Sequence, residues 1–178
     1  MLGNVAALLK VSLSMFKNLW APWRMKYINE LNNPHDCFFC RYFKNPQDDA
    51  DNLVLWRSEL ALACLNRFPY TNGHLLIAPG AHKSDLAELT EAEMLELMQM
   101  LAKAQRALNQ SLNPQGFNVG INLGRCAGAG LPGHLHFHIV PRWEGDTNFM
   151  AITGQTRVIP QDLSESYRVL KAAAENLR

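Results

Sequence analysis

From residue 53 onward the apolar positions follow two rhythms. Leu53–Arg57 and Leu60–Leu65 are short apolar runs separated by Ser58-Glu59, which predicts a hairpin. Asn66–Gly73 is rich in turn formers, with Pro69 and Asn72-Gly73, and His74–Ala78 is a further short strand stopped by Pro79-Gly80. The rhythm then changes to helical spacing. Thr90-Glu91-Ala92-Glu93 has the form of a capping box. Behind it Met94, Leu97, Met98, Leu101, Ala104, Gln105 and Leu108 predict a long amphipathic helix, ending near Asn113-Pro114, with one polar lapse at Gln105. Phe117–Leu123 reads as a strand, Gly124–Gly133 as a flexible loop and His134–Trp143 as a strand. A last helix is expected over Leu163–Leu177, with Leu163, Tyr167, Leu170 and Ala174 on one stripe. Residues 30–52, rich in Asn, Asp and Pro, read as a loop-rich knuckle. Hairpin-like strands with segregated helices predict an α+β fold: an antiparallel sheet with the long helix and the C-terminal helix packed on one face.

Composition narrows this picture without redirecting it. The chain has 178 residues, 48% apolar and 19% charged, which suits one globular domain with a core of its own. A net charge of +1 gives no broad field for DNA, RNA or an anionic membrane, so an anionic small ligand needs a local site. The four cysteines do not form a disulfide framework; Cys64 and Cys126 are isolated, and only Cys37 and Cys40 are paired in sequence. That pattern suits a reducing compartment, and a cytoplasmic location is expected. Residues 5–16 are fairly apolar but too short to span a bilayer, and Met1–Asn4 carries no positive side chain of the kind a secretory signal needs. Met15 is a second plausible start, so residues 1–14 read as an extension or a misassigned start, and 15–178 as a single catalytic domain.

The chemistry is concentrated in His134-Leu135-His136-Phe137-His138. Strand alternation puts the three imidazoles on one side and Leu135, Phe137 and Ile139 on the other, toward the helix 91–112. A neutral imidazole attacks phosphorus without first losing a proton, and a neighbouring histidine donates hydrogen bonds where negative charge develops. The competing reading is a metal centre, since His-x-His on a strand ligates zinc and three histidines with an open position activate water. The loop just before favours an anion: Gly124, Gly128, Gly130 and Gly133 allow close approach of backbone amides.

Cys37-Phe38-Phe39-Cys40 has half of a zinc-knuckle spacing and needs two further ligands. A metal-free pair of thiols and a redox pair are the alternatives, and no thioredoxin-like βαβ pattern surrounds it.

With the triad complete as His134-Leu135-His136-Phe137-His138-Ile139-Val140, the chain resembles the histidine triad superfamily over most of residues 16–150. Asn66 before a Pro-containing turn, Gly73-His74-Leu75-Leu76-Ile77-Ala78-Pro79, His82 and Asn118–Leu123 belong to the resemblance. Trp20-Ala21-Pro22-Trp23-Arg24 and Pro141–Phe149 resemble the bacterial branch similar to diadenosine tetraphosphate phosphorylases. The resemblance implies that His136 attacks the α-phosphate to form a nucleotidyl-histidine, and that His138 binds phosphate and assists the leaving group. It also implies phosphate contacts from Asn122 and ribose contacts from Asn66. Many members carry Gln or Ser four residues before the first histidine; here Gly130 stands there, followed by Leu131, whose backbone amides are left to contact phosphate. Trp143 is a candidate to stack on a purine or to pack in the core or at a dimer interface. For the cysteines the resemblance implies a structural zinc held by Cys37, Cys40, His82 and His134, with His35 as a substitute ligand. A homodimer is expected on the same ground.

The expected activity is nucleotidyl transfer or hydrolysis on dinucleoside polyphosphates, with water or phosphate as acceptor. Hydrolysis of nucleoside phosphoramidates is the second enzymatic reading. An adenine-nucleotide sensor is the non-enzymatic one, and pure binding does not require an alternating triad.

Overall fold

The computed structural model describes residues 37–146 and 158–176. The expectations for residues 1–14, Met15, Trp20, Trp23, Arg24, His35 and the segment 147–149 lie outside the described residues. Five antiparallel strands form one sheet: β1 (Val54–Arg57), β2 (Ala61–Leu65), β3 (Leu75–Pro79), β4 (Gly116–Ile121) and β5 (Phe137–Arg142), in the order β1-β2-β3-β5-β4. Among the described residues three α-helices accompany it: α1 (Phe38–Lys44), α2 (Glu91–Leu112) and α3 (Leu163–Glu175). The expected α+β architecture is the one observed.

The central strands β2 and β3 are buried along their whole length. One face, with Ala63, Leu65, Leu75, Ile77 and Ile139, packs with Leu97, Leu101, Ala104 and Leu108 of α2 and Leu170 and Ala174 of α3. The other, with Leu62, Cys64, Leu76 and Ala78, packs with Phe39 and Tyr42 of α1. This two-sided burial explains why these strands read as continuous apolar runs rather than as alternation. A register irregularity between Val54 and Trp56 lets β1 supply Val54 to one core and Trp56 to the other.

Several sequence expectations change in detail. The knuckle contains a helix at Phe38–Lys44: Phe39 and Tyr42, one turn apart, bury the same face of α1. Arg57 fixes its far end by donating to the Tyr42 carbonyl (3.0 Å) and pairing with Asp49. Helices therefore cover both sheet faces, not one. On α2 the capping box forms as expected, Thr90 Oγ1 accepting from Glu93 N (3.2 Å) and Glu93 from Thr90 N (2.7 Å). Yet Met94 and Met98 are 42% and 48% exposed. Buried Glu93 takes the inward place in the first turn by receiving Lys83 Nζ (2.5 Å), so the inner stripe runs Leu97, Met100, Leu101, Ala104, Ala107, Leu108. Asn113, left-handed at φ 46°, ends the helix before Pro114. β4 is shifted to Gly116–Ile121, and α3 stops at Glu175. β5 starts at Phe137 rather than His134 and ends at Arg142. Its ladders to β3 and β4 both end at Phe137, while the Leu135 amide is diverted to the Lys83 carbonyl (2.6 Å).

Candidate active site

His134 and His136 lie in the lead-in to β5 and His138 within it. The alternation expected of the strand survives that shift. Leu135 and Ile139 enter the α2 side of the core and Phe137 packs against it. On the opposite side the His136 and His138 rings are 5.0 Å apart, and Phe39 of α1 touches both His134 and His136.

Backbone carbonyls and amides determine which nitrogen of each ring carries the proton. His136 Nδ1 is 2.8 Å from the His134 carbonyl, which can only accept, so Nδ1 is protonated and Nε2 keeps its lone pair. His74, the first residue before β3, receives Tyr70 N–H at Nδ1 (3.1 Å). Its proton is therefore on Nε2, which lies 2.9 Å from His138 Nδ1 and donates to it. His138 Nδ1 is thus an acceptor, and neutral His138 carries its proton on Nε2. That atom is buried and has no protein partner. A buried donor without a partner is costly in a folded protein and marks a place where a ligand atom completes the bonding. The outcome is a free lone pair on one ring and a committed N–H donor on the next.

Burial keeps these rings neutral. It pulls His74 down to about 3 and His138 to about 4, with the neighbouring histidines adding to the effect, and it lowers His136 as well. Unprotonated imidazole at neutral pH is the form that attacks phosphorus.

Around the rings, Gly124 and Gly128 adopt φ of 80° and 90°, and the Ala129 amide turns back to the Gly124 carbonyl (3.2 Å). This left-handed backbone is why glycine is needed there. Asn122 reaches this loop: its Nδ2 would lie 3.9 Å from a Cβ on Gly128. Gly130 is exposed, and Leu131 packs against the α1-side core. A cleft of about 370 Å³ opens beside His138, bordered by Tyr70, Asn118, Gly120, Asn122 and Arg142. Asn66 is outside its lining. Its side chain instead closes the turn before β3, accepting from Phe68 N (2.9 Å) and lying 3.2 Å from His74 Nδ1. Half-buried Trp143 is also outside the lining, its amide 3.4 Å from Asp146.

The cysteines meet the first triad histidine on the α1 side. Cys37 Sγ is 3.1 Å from His134 Nδ1, and Cys40 Sγ is 3.3 Å from His82 Nδ1 and 3.6 Å from His134 Nδ1. The four donor atoms lie within 4.8 Å of one another. His134 Nε2 donates to the Pro79 carbonyl (2.9 Å), so Nδ1 is the free lone pair aimed into the quartet. Such an outer hydrogen bond is what fixes a metal-binding imidazole. Two thiols and two imidazoles so placed fit a tetrahedral metal ion. Burial raises Cys37 to about 11, so an ion that displaces its proton would offset a thiol otherwise held protonated.

His74 is the functional residue that the sequence did not single out for a role. A lone histidine opening an apolar strand has the pattern of a core residue, and no spacing ties it to residue 138. The link arises only when β3 pairs with β5, Leu76 opposite His138.

Comparison with known proteins agrees with this geometry. A family model described as HIT domain matches residues 47–145. The chain is 42% identical over 160 residues to an AP-4-A phosphorylase of Mycobacterium tuberculosis, covering 86% of this chain and 82% of the relative. It is 31% identical over 106 residues to an adenosine 5'-monophosphoramidase of Schizosaccharomyces pombe, covering 60% of this chain and 74% of that one. The crystal structure of a zinc-bound histidine triad family protein from Mycobacterium smegmatis superposes with a TM-score of 0.65 at 32% identity, covering 80% of this chain and 95% of that one. The chain therefore belongs to the HIT family of nucleotidyl-transferring and nucleotide-hydrolysing enzymes.

Proposed function

We propose that this enzyme splits dinucleoside polyphosphates such as diadenosine tetraphosphate by phosphorolysis, through a nucleotidyl-His136 intermediate. The observation that carries this reading is the tautomer chain. Tyr70 N–H fixes His74, His74 fixes His138, and the His136 ring, with its lone pair on Nε2, lies 5.0 Å from the His138 ring, whose Nε2–H has no partner. In the first step His136 Nε2 forms a bond to the α-phosphorus, and the bond from that phosphorus to the bridging oxygen breaks, releasing ATP. His138 Nε2–H hydrogen-bonds the phosphate oxygens as charge shifts onto them. In the second step an oxygen of inorganic phosphate attacks the same phosphorus, the P–N bond breaks, and the AMP moiety leaves as ADP with His136 neutral again. Backbone amides of the 124–131 loop, with Asn122, hold the phosphates. Asn66 acts by fixing the turn that carries His74.

Phosphate, rather than water, is favoured as acceptor by two considerations. Gly130 leaves the loop without a side chain at the position where many family members carry Gln or Ser, which leaves room for a second anion. A relative that covers 86% of this chain at 42% identity is an AP-4-A phosphorylase. Cys37, Cys40, His82 and His134 would hold a structural zinc, which would anchor His134 rigidly. The protein works in the cytoplasm as a homodimer, with residues 15–178 as one catalytic domain. Among the described residues no helix is long and apolar enough to cross a membrane.

The test is incubation with diadenosine tetraphosphate, with and without inorganic phosphate, and separation of the products. ADP plus ATP formed only with phosphate is expected. AMP plus ATP at the same rate without phosphate would make it a hydrolase. Turnover of adenosine phosphoramidate alone would move it to the activity named for the fission-yeast relative.

A further inference from the structure

The cleft beside His138 shares no residue with the cysteine quartet. Across β5 from Leu76, the neighbour of His138 is Gly120 on the edge strand β4. A Cβ built on Gly120 would meet nothing within 4 Å, so the floor next to the catalytic rings is bare backbone with free space above it. Asn118 and Asn122 flank that floor on the same strand face, two residues to either side. Tyr70 forms a wall, its ring nearly parallel to that of His138 (11°, centroids 6.0 Å apart), and Val140 and Val158 add apolar surface.

The far end of the cleft is polar but electrically balanced. Arg142 donates from Nε and Nη2 to Asp146 (2.5 and 2.9 Å) and from Nη1 to Asn118 Oδ1 (2.8 Å). Its charge is committed to a carboxylate, so this end does not present a bare cation to phosphate. With Oδ1 engaged, Asn118 offers its amide N–H groups as donors. A neutral, flat group with hydrogen-bonding edges suits such a space, and a phosphate suits the His138 end. At about 370 Å³ the cleft is within the usual size of small-molecule sites, roughly 300–1,000 Å³.

We infer that this cleft is a second nucleoside subsite, which holds the nucleoside of the departing half of a dinucleoside polyphosphate. The inference rests on the phosphoryl chemistry proposed above. His138 then stands at the boundary between the half transferred to His136 and the half released. Tyr70 and the bare Gly120 floor receive the base, and Asn118 bonds its polar edge. Recognition of the leaving nucleoside adds binding energy remote from the reacting phosphorus, which an enzyme spends on orientation there.

The test separates this subsite from the catalytic reading by using binding. Methylene-bridged, non-hydrolysable diadenosine tetraphosphate and adenosine tetraphosphate are titrated calorimetrically into the wild-type protein, Asn118→Ala and Gly120→Val. The two ligands share the transferred half and the phosphate chain and differ in the second nucleoside, in whose place the mononucleotide has a free terminal phosphate. The wild type is expected to bind the dinucleoside analogue at least tenfold more tightly. Gly120→Val, whose side chain enters open space, should remove that advantage, and Asn118→Ala should reduce it severalfold, with the mononucleoside affinity within twofold of wild type. Equal wild-type affinities, an advantage untouched by both substitutions, or equal weakening of both ligands would each overturn the subsite. If the advantage is present and lost as expected but the hydrolysable dinucleotide is not turned over, the catalytic reading fails and the subsite stands.

Discussion

His74 is the most informative residue to perturb, because it touches no phosphate and yet sets the proton on the residue that does. His74→Phe keeps an aromatic ring, somewhat larger, at a fully buried position but removes both nitrogens. Tyr70 N–H loses its acceptor and His138 Nδ1 loses its donor. An unsatisfied buried polar group costs roughly 1–3 kcal/mol, so the two together should lower unfolding stability by roughly 2–6 kcal/mol. The catalytic effect is separate. With nothing holding its proton on Nε2, His138 is free to rotate or change tautomer, and the donor at the phosphate is lost for part of the time. Removing one such donor typically slows the chemical step about 10²–10³-fold. His74→Gln supplies an amide N–H near the former Nε2 and should recover part of the rate, although it cannot restore the Tyr70 contact. Rapid-quench measurement of single-turnover rates for the three proteins gives the kinetic comparison, and ¹⁵N NMR of His138 gives the tautomer directly. A His74→Phe protein that is folded, reacts at the wild-type rate and keeps the Nε2–H tautomer would refute this account of the site.

Other consequences follow from the same arrangement. Gly130→Gln places an amide where phosphate is proposed to enter, so phosphate-dependent ADP formation should fall about tenfold or more relative to hydrolysis; unchanged phosphate dependence would count against that placement. Metal analysis of protein purified without chelator should give one zinc per chain. Stripping it should lower stability by about 4 kcal/mol when the metal had been present at a thousandfold excess over its Kd, read by thermal melts with and without added zinc; identical melts would remove the structural metal. Stability should also fall on mild acidification. His74 is near 3 in the folded protein against about 6.5 when unfolded, so below pH 6.5 the unfolded chain binds the extra proton. Its contribution is complete above that pH and lost as pH falls toward 3, about 2 kcal/mol of it between pH 6.5 and 5. Urea melts over that range should show a shallower slope for His74→Gln, and equal slopes would exclude His74 as a source.

Much of the fold was legible because one local signal and the tertiary structure agreed. The capping box at Thr90 and Glu93, the turn at Asn72-Gly73 and the uninterrupted apolar runs of β2 and β3 all act within a few residues. Where the sequence misled, a distant partner decided. Met94 and Met98 fit a helical stripe, but Glu93 takes the inward place because Lys83 reaches it from another segment. The start of β5 moved because the Leu135 amide is claimed by the Lys83 carbonyl. At the site, the alternating histidines exposed the chemistry, and the quartet of Cys37, Cys40, His82 and His134 came together as the family resemblance implied. The proton assignments were not legible, since they depend on a carbonyl, an amide and a strand pairing. For the same reason His74 had no signature of its own.

The covalent step is the claim on which the remainder depends, and it can be observed. Protein mixed with diadenosine tetraphosphate without inorganic phosphate is quenched in alkali, which preserves a phosphoramidate, then digested and examined by mass spectrometry. One adenylyl group on His136 is expected, discharged as ADP when phosphate is added before quenching and absent from His136→Ala, which should retain less than about one part in 10⁴ of the activity. An adduct on another residue, or wild-type turnover by His136→Ala, would contradict the account.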